Sequence, residues 1–246
     1  MNKYLFVIAR YRNVLQKIFE EKISPKNQAY CDRHGMEYIV VDHSCELPPF
    51  RGKITWMKFW LVDQWIKEGR LKDGDSLVHF DADMVVVKPE FEYKTDKSFS
   101  YAIDSCNSHC MGNYCLNIND WSKRLVSDIL DEQLYQKNKA DKHWHLFREQ
   151  AAWYTLAGIT PFKRASYFDQ PNYGFHSSDA KPVYTLEELH SNVDVKKPIW
   201  DCTLLADEID NPRAALIAKA LINPVDKKDV IIRHFAARQP WRKEYL

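Results

Sequence analysis

Short, unbroken apolar runs that stop at charged residues most limit what this chain can fold into. Lys3-Tyr-Leu-Phe-Val-Ile-Ala9, Glu37-Tyr-Ile-Val-Val-Asp42 and Ser76-Leu-Val-His-Phe-Asp81 read as strands buried on both faces. Helical segments separate them. Ser24-Pro25 predicts a helix start, with Ser24 as N-cap, and His34-Gly35 predicts its end. Ile54 to Glu68 has helical spacing, with Trp56, Phe59 and Trp60 on one face, and Gly69 closes it. Strands alternating with helices imply an α/β sandwich around a mixed, mainly parallel sheet flanked by helices. Later segments read less sharply. Met84–Val87, Ser98–Ile103, Tyr114–Ile118 and Val230–Phe235 are further strands. Asp120–Leu130, with Asp120 as cap, Trp144–Leu156, and a segment from Asn211-Pro212 to Leu221 are further helices. Val183–Leu189 has no clear period.

The chain has 246 residues, enough for one large domain with a sizeable core. Lys plus Arg is 35 and Asp plus Glu is 34, so the net charge of +1 gives no support for a general polyanion binder. Glycine is scarce, which leaves little material for phosphate-cradling loops, whereas 8 Trp and 13 Tyr provide flat platforms suited to sugars or bases. The apolar run Tyr4–Ala9 is too short to span a bilayer. Cys106, Cys110 and Cys115 lie near His109, but they lack the CxxC pair of a structural zinc site. They read as reduced thiols of a cytoplasmic protein.

The chain holds two Asp-x-Asp triplets. Asp73-Gly-Asp75 precedes its strand and reads as a solvated turn. Asp81-Ala-Asp83 follows an apolar strand, where ligands of open α/β sheets gather. In extended chain Asp81 and Asp83 project to one face while Ala82 points away and lets a ligand come close. Two carboxylates on one side suit Mg²⁺ or Mn²⁺, and such a cation neutralises a leaving diphosphate.

A helix bearing Lys58, a turn, and then hydrophobic-Asp-x-Asp-hydrophobic resembles the GT-A glycosyltransferases. Further segments resemble one retaining subgroup, glycosyltransferase family 34, which includes fungal α-galactosyl- and α-mannosyltransferases and plant xyloglucan α-xylosyltransferases. These are Asn27-Gln-Ala-Tyr-Cys-Asp-Arg-His-Gly-Met-Glu-Tyr38, Trp56-Met-Lys58, Met111-Gly-Asn-Tyr-Cys-Leu-Asn-Ile-Asn-Asp-Trp-Ser122, Glu149-Gln-Ala-Ala152 and Arg233-His-Phe235, in the family's order. Departures from the pattern include Ala236-Ala237 after His-Phe and Glu149 in place of Asp; they bear on donor and acceptor more than on fold.

The resemblance implies a Rossmann-like GT-A fold in a single domain, with a nucleotide-sugar half at about 1–120 and an acceptor-side half at about 121–246. It implies a metal-dependent, retaining transfer of a hexose or pentose from a nucleotide sugar. A UDP-sugar is favoured and a GDP-sugar is possible. It makes Asp81 and Asp83 metal and nucleotide contacts and adds His234, which on its own reads as a satisfied core histidine. Ala9, Arg10 and Tyr11 end the first strand, where the base and ribose are expected, and Ala82 belongs to the same site. Lys58 is expected at the diphosphate or donor pocket. Gln150 and Glu149 are expected beneath the sugar, alongside Asp83 in the catalytic set, and His143-Trp-His145 at the acceptor rim. The acceptor stays open between a glycan, another hydroxyl compound and a modified nucleic acid. Without an anchor, the expected setting is the cytoplasm of a bacterial or viral system. Two other readings carry less. A nucleotidyltransferase wants a Gly-rich loop after the first strand, and Ala9-Arg-Tyr-Arg-Asn13 has none. A non-catalytic carbohydrate-binding relative has no need of Asp81, Asp83 and His234 together.

Overall fold

A sheet of six strands in the order β2-β1-β3-β6-β5-β7 forms the middle layer. The computed structural model describes residues 1–10, 14–49, 54–104, 109–134, 148–159, 174–176, 181–202 and 225–235. Tyr11, Cys106, His143-Trp-His145, the expected helix at 211–221 and everything after Phe235 lie outside the described residues. The strands are β1 (Lys3–Ile8), β2 (Glu37–Val41), β3 (Ser76–Asp81), β5 (Phe99–Ile103), β6 (His109–Asn117) and β7 (Val193–Lys196). β1 pairs in parallel with both β2 and β3, and β5 in parallel with β7. Only β6 runs against the others, pairing antiparallel with β3 and β5. The sheet is therefore mixed and mainly parallel, as the sequence implies. A separate two-stranded ladder joins β4 (Met84–Val86) to β8 (Ile232–His234), antiparallel.

Helices cover both faces, which explains the unbroken apolar runs. In β1, Tyr4 and Phe6 join one core and Leu5 and Val7 the other. The first core packs under α3 (Ile54–Lys67), α4 (Asp120–Leu130), α5 (Glu149–Ala157) and α6 (Leu186–Asn192). The second packs under the turn at Phe19–Ile23, which follows α1 (Val14–Ile18), and under α2 (Ser24–His34), and takes in the β4–β8 ladder. Residues buried to this degree contribute about 25 cal/mol per Å² of apolar surface removed from water.

Several boundaries differ from expectation for identifiable reasons. Ser24 does not cap a helix start. It is already helical (φ −56°, ψ −41°), and its N–H donates to the Phe19 carbonyl across a widened turn at Phe19–Ile23 that joins α1 to α2. Pro25 has no N–H and crowds the carbonyl four residues back, and the widened turn takes up that mismatch within one continuous helix. Gly35 does end α2 in the left-handed conformation (φ 64°). The cap of α4 is Asn119 and not Asp120: the Asn119 side chain accepts from Ser122 N, and Ser122 Oγ accepts from Asn119 N, a closed capping box. The uncertain stretch after Val183 resolves into a turn, helix α6 capped by Thr185, and β7, a strand the sequence reading missed. The Asp73-Gly-Asp75 turn is not merely solvated. Asp75 is buried, and its carboxylate accepts from Asn2 N (2.7 Å) and Lys72 N (3.1 Å).

Candidate active site

The C-terminal ends of β1 and β3 deliver Ile8, Arg10 and Asp81 to one cavity of about 320 Å³, whose wall also includes Ile54, Thr55, Lys58, Ala82, Asp83 and Glu149. A larger cavity, about 690 Å³, opens at the opposite end of the strands beside Lys3, Ser76 and Asn117. The smaller one lies where open α/β sheets take ligands.

Asp81 is the last residue of β3 and is held from two sides. Its Oδ1 accepts from Lys58 Nζ (3.1 Å) and lies 3.1 Å from His79 Nε2. His79 stands two residues earlier in β3 and is fully buried, and burial pulls its imidazole down to about 4, so the ring is neutral. Burial alone would push the Asp81 carboxyl up. Lys58, then His79 and His234, outweigh it and hold the group well below the usual carboxylate range. Ala82 and Asp83 then turn the chain into β4. The two carboxylates thus converge around a turn and not along an extended strand as the spacing suggested.

Lys58 is buried on α3. Besides Asp81 its ammonium reaches Glu149 Oε1 (3.3 Å) and donates to the Met111 carbonyl (2.9 Å). Burial works against its charge, but Asp81 and Glu149 overcome it and keep the group above the ordinary lysine range. Glu149 opens α5 and is buried. Desolvation raises its carboxyl, Lys58 opposes the rise and Asp81 adds to it.

His234 reaches this place through the β4–β8 ladder. Met84 pairs with His234, and Phe235 N–H donates to the Asp83 carbonyl (3.0 Å). That register brings a residue from far along the chain beside the Asp-x-Asp turn. His234 Nε2 lies 3.4 Å from Asp83 Oδ1, and Nδ1 lies 3.1 Å from Asp201 Oδ1. Desolvation disfavours the imidazolium, yet the carboxylates of Asp201 and Asp83 raise it well above the usual histidine range. One donor atom from each of Asp81, Asp83 and His234 falls within a 4.8 Å cluster. Gly112 on β6 keeps the space beside them open: a Cβ there would stand 3.0 Å from Asp81 Oδ2 and 3.1 Å from His234 Cε1. A site with two carboxylates, an imidazole nitrogen and an adjoining space fits a divalent cation.

The other expected residues are placed as follows. Arg10 lines the cavity, and its guanidinium donates to the carbonyls of Asp42 (2.9 Å) and Cys45 (2.6 Å), which ties down the loop after β2. Ala9 is buried in the core with its N–H bonded to Val41 O, between two residues that do line the cavity. Gln150 is half-buried; its Oε1 accepts from Met111 N (3.1 Å) and its Nε2 donates to Tyr154 Oη (2.8 Å). It stays outside the cavity wall that Glu149 joins. Of the cysteine-rich stretch, Cys110 comes within 4.8 Å of donor atoms of Asp201 and His234, whereas His109 and Cys115 join no such group among the described residues. His109 Nδ1 pairs with Tyr101 Oη (2.6 Å) and Cys115 Sγ lies near Ser76. Sequence reading missed His79, Gly112 and Asp201. The first had a usable signal, its i, i+2 relation to Asp81. The second sits in a segment already compared with the family.

No protein-family model and no curated protein sequence matches this chain. Solved structures do. One is a glycosyltransferase involved in the glycosylation of the major capsid of PBCV-1, at 10 % identity over 96 % of this chain and 95 % of that one, with a TM-score of 0.51. Another is the galactosyltransferase LgtC in complex with donor and acceptor sugar analogs, at 10 % identity over 98 % and 90 % of the two chains, also with a TM-score of 0.51. At that identity the likeness speaks to architecture, and the strand order, the helical layers and these neighbours agree: the chain has the GT-A fold of glycosyltransferases.

Proposed function

We propose that this chain is a metal-dependent, retaining glycosyltransferase that moves a hexose or pentose from a UDP-sugar to a hydroxyl acceptor, along the lines of family 34. One observation carries the reading: donor atoms of Asp81, Asp83 and His234 converge beside a cavity at the C-terminal ends of the strands. In this reading residues 1–120 hold the nucleotide sugar, and the later half, through Glu149 with Gln150 behind it, faces the sugar and acceptor. The bound donor and acceptor analogs of LgtC, which shares the fold, favour a sugar-to-sugar or similar transfer here.

Asp81, Asp83 and His234 would hold the cation, and their mixed oxygen and nitrogen donors favour Mn²⁺ over Ca²⁺, with Mg²⁺ a weaker fit. When bound, it would supply Lewis-acid stabilisation to the departing diphosphate. Lys58 reaches both Asp81 and Glu149, and its positive charge favours the ionised form of each. Ile8 and Arg10 border the place proposed for the nucleoside, and Ala82 admits the donor closely. As the anomeric C–O bond to the diphosphate breaks, positive charge grows on the sugar, and Glu149 is the cavity's carboxylate available to face it. The acceptor oxygen forms the new bond on the same face, and its proton passes to a phosphate oxygen of the leaving group. Gln150, outside the cavity wall, holds the Met111 segment in place through its carbonyl, and its part in the reaction is one of positioning.

The test is release of UDP from a panel of UDP-sugars. Activity is expected with Mn²⁺ and absent in EDTA, and Asp83→Asn should lower it on the order of a hundredfold or more while the fold survives. Asp73→Asn, in an exposed pair with Lys123, should leave it unchanged. Equal loss from both substitutions, or a β-linked product from an α-linked donor by NMR, overturns the reading.

A further inference from the structure

The buried carboxylate of Asp201 has no place in the scheme above, yet it touches one of its residues. Asp201 follows the short Pro198–Trp200 turn and is fully buried. The segment is fastened to β8: Ile231 N–H donates to Ile199 O (2.8 Å), Cys202 bridges Arg233, and His234 N–H donates to Cys202 O (3.3 Å). The Arg233 guanidinium also donates to the Cys202 carbonyl. This register sets Asp201 against the far side of the His234 ring, with Oδ1 3.1 Å from Nδ1. Its Oδ2 has no hydrogen-bond partner among the described residues.

A carboxylate removed from water at such cost, with one oxygen unpaired, calls for a compensating role. Cys110 Sγ also lies near Nδ1, at 3.9 Å. Asp201 Oδ1, at 3.1 Å, is the nearer of the two, and a carboxylate oxygen accepts a proton far better than a sulfur at 3.9 Å. The acceptor for the Nδ1 proton is therefore Asp201. With Nδ1 fixed as the N–H, the lone pair of a neutral His234 lies on Nε2, the nitrogen that faces Asp83. Ligating histidines in general need the remote N–H held in this way, because it sets both tautomer and ring angle.

We infer that Asp201 is a positioning residue that orients His234 and fixes its tautomer, so that Nε2 points its lone pair at the cation site formed with Asp81 and Asp83. The inference rests on the proposed metal-binding role of that trio and adds a residue outside it.

The test measures Mn²⁺ binding in the presence of UDP by electron paramagnetic resonance, with no turnover required, for wild type, Asp201→Asn, His234→Ala and the double variant. An amide at position 201 can donate to Nδ1 and favour the opposite tautomer. Asp201→Asn should therefore weaken Mn²⁺ binding about 10- to 100-fold. The double variant should bind no worse than His234→Ala alone, since Asp201 acts only through the ring. Additive losses, or full Mn²⁺ affinity in Asp201→Asn beside a loss in His234→Ala, overturn the inference and leave the metal site standing. Full affinity in His234→Ala overturns the metal site itself. A measurement on the wild type covers the case in which Asp201→Asn does not fold: with Mg²⁺ and UDP bound, the imidazole ¹⁵N shifts of His234 should show a protonated Nδ1 and a bare Nε2, and the reverse pattern refutes the inference.

Discussion

Lys58 offers three N–H donors and meets three acceptors: Asp81, Glu149 and the Met111 carbonyl. It holds two buried or half-buried carboxylates in place, so its loss should be felt in the fold as well as in the reaction. Lys58→Met leaves Glu149 buried without its counter-charge, which costs about 3–5 kcal/mol for a broken buried pair. The sign with pH follows. Protonated Glu149 needs no counter-charge, so the variant's deficit in denaturant titrations should shrink as the pH falls, and a deficit that grows in acid would contradict this role. Gly112 makes a different prediction. An added methyl would also meet Met84 Cε at 2.7 Å, a flexible side-chain end that can yield, but Asp81 and His234 would have to shift by tenths of an ångström. Gly112→Ala should therefore keep a melting temperature within a few degrees of wild type and lose about tenfold or more in Mn²⁺ affinity, because small misplacements at such sites are costly. Unchanged affinity would show that the space beside the trio is not used.

Among the elements, α4 depends most plainly on a local device, the Asn119–Ser122 capping box. Asn119→Ala should cost about 1 kcal/mol, a fall of about 2–4 °C in melting temperature for a chain of this size, with donor hydrolysis untouched. A loss of activity without a loss of stability would place Asn119 in the site. What the sequence disclosed about such elements followed the range of the forces involved. β1, β2, β3 and α3 were readable because burial on both faces and a helical stripe leave continuous local patterns. Gly35 was readable because a left-handed cap has one preferred residue. The widened turn before Pro25 was not, because proline at a helix start and proline inside a widened turn look alike in sequence. β7 and Asp201 were hidden for another reason: β7 lies at the edge of the sheet and Asp201 gets its place from pairing with β8, and neither has a period of its own. The pair Asp81 and Asp83 was singled out for its chemistry, and the structure brings the two together around a turn instead of along the extended strand that was assumed.

Over the whole molecule, buried proton donors crowd the core. Burial lifts the Cys31 thiol and the Tyr38 phenol to about 12 and holds Tyr30, Tyr93, Tyr101 and Tyr114 above the ordinary phenol range. In the unfolded chain the same groups ionise near ~8.5 for thiols and ~10 for phenols. The stability these groups contribute is therefore complete at neutral pH and declines above those values, by about 1.4 kcal/mol per pH unit for each group. Thermal unfolding should shift steadily downward between about pH 9 and 11, and tyrosinate absorbance from these residues should rise only as circular dichroism is lost. Phenol titration within an intact fold would refute it. The β4–β8 ladder has a consequence in time. During synthesis the sheet strands through β6, α3 and both carboxylates are available long before the nitrogen donor of His234 is made. A chain grows at about 5–20 residues per second and its early parts fold first, so each newly made molecule passes through seconds in which the early strands are made but the proposed cation site lacks His234. Completion of the proposed site is thereby tied to the emergence of residues 232–235 from the ribosome, and a chain interrupted before them has the two carboxylates without the imidazole that the β4–β8 ladder brings beside them.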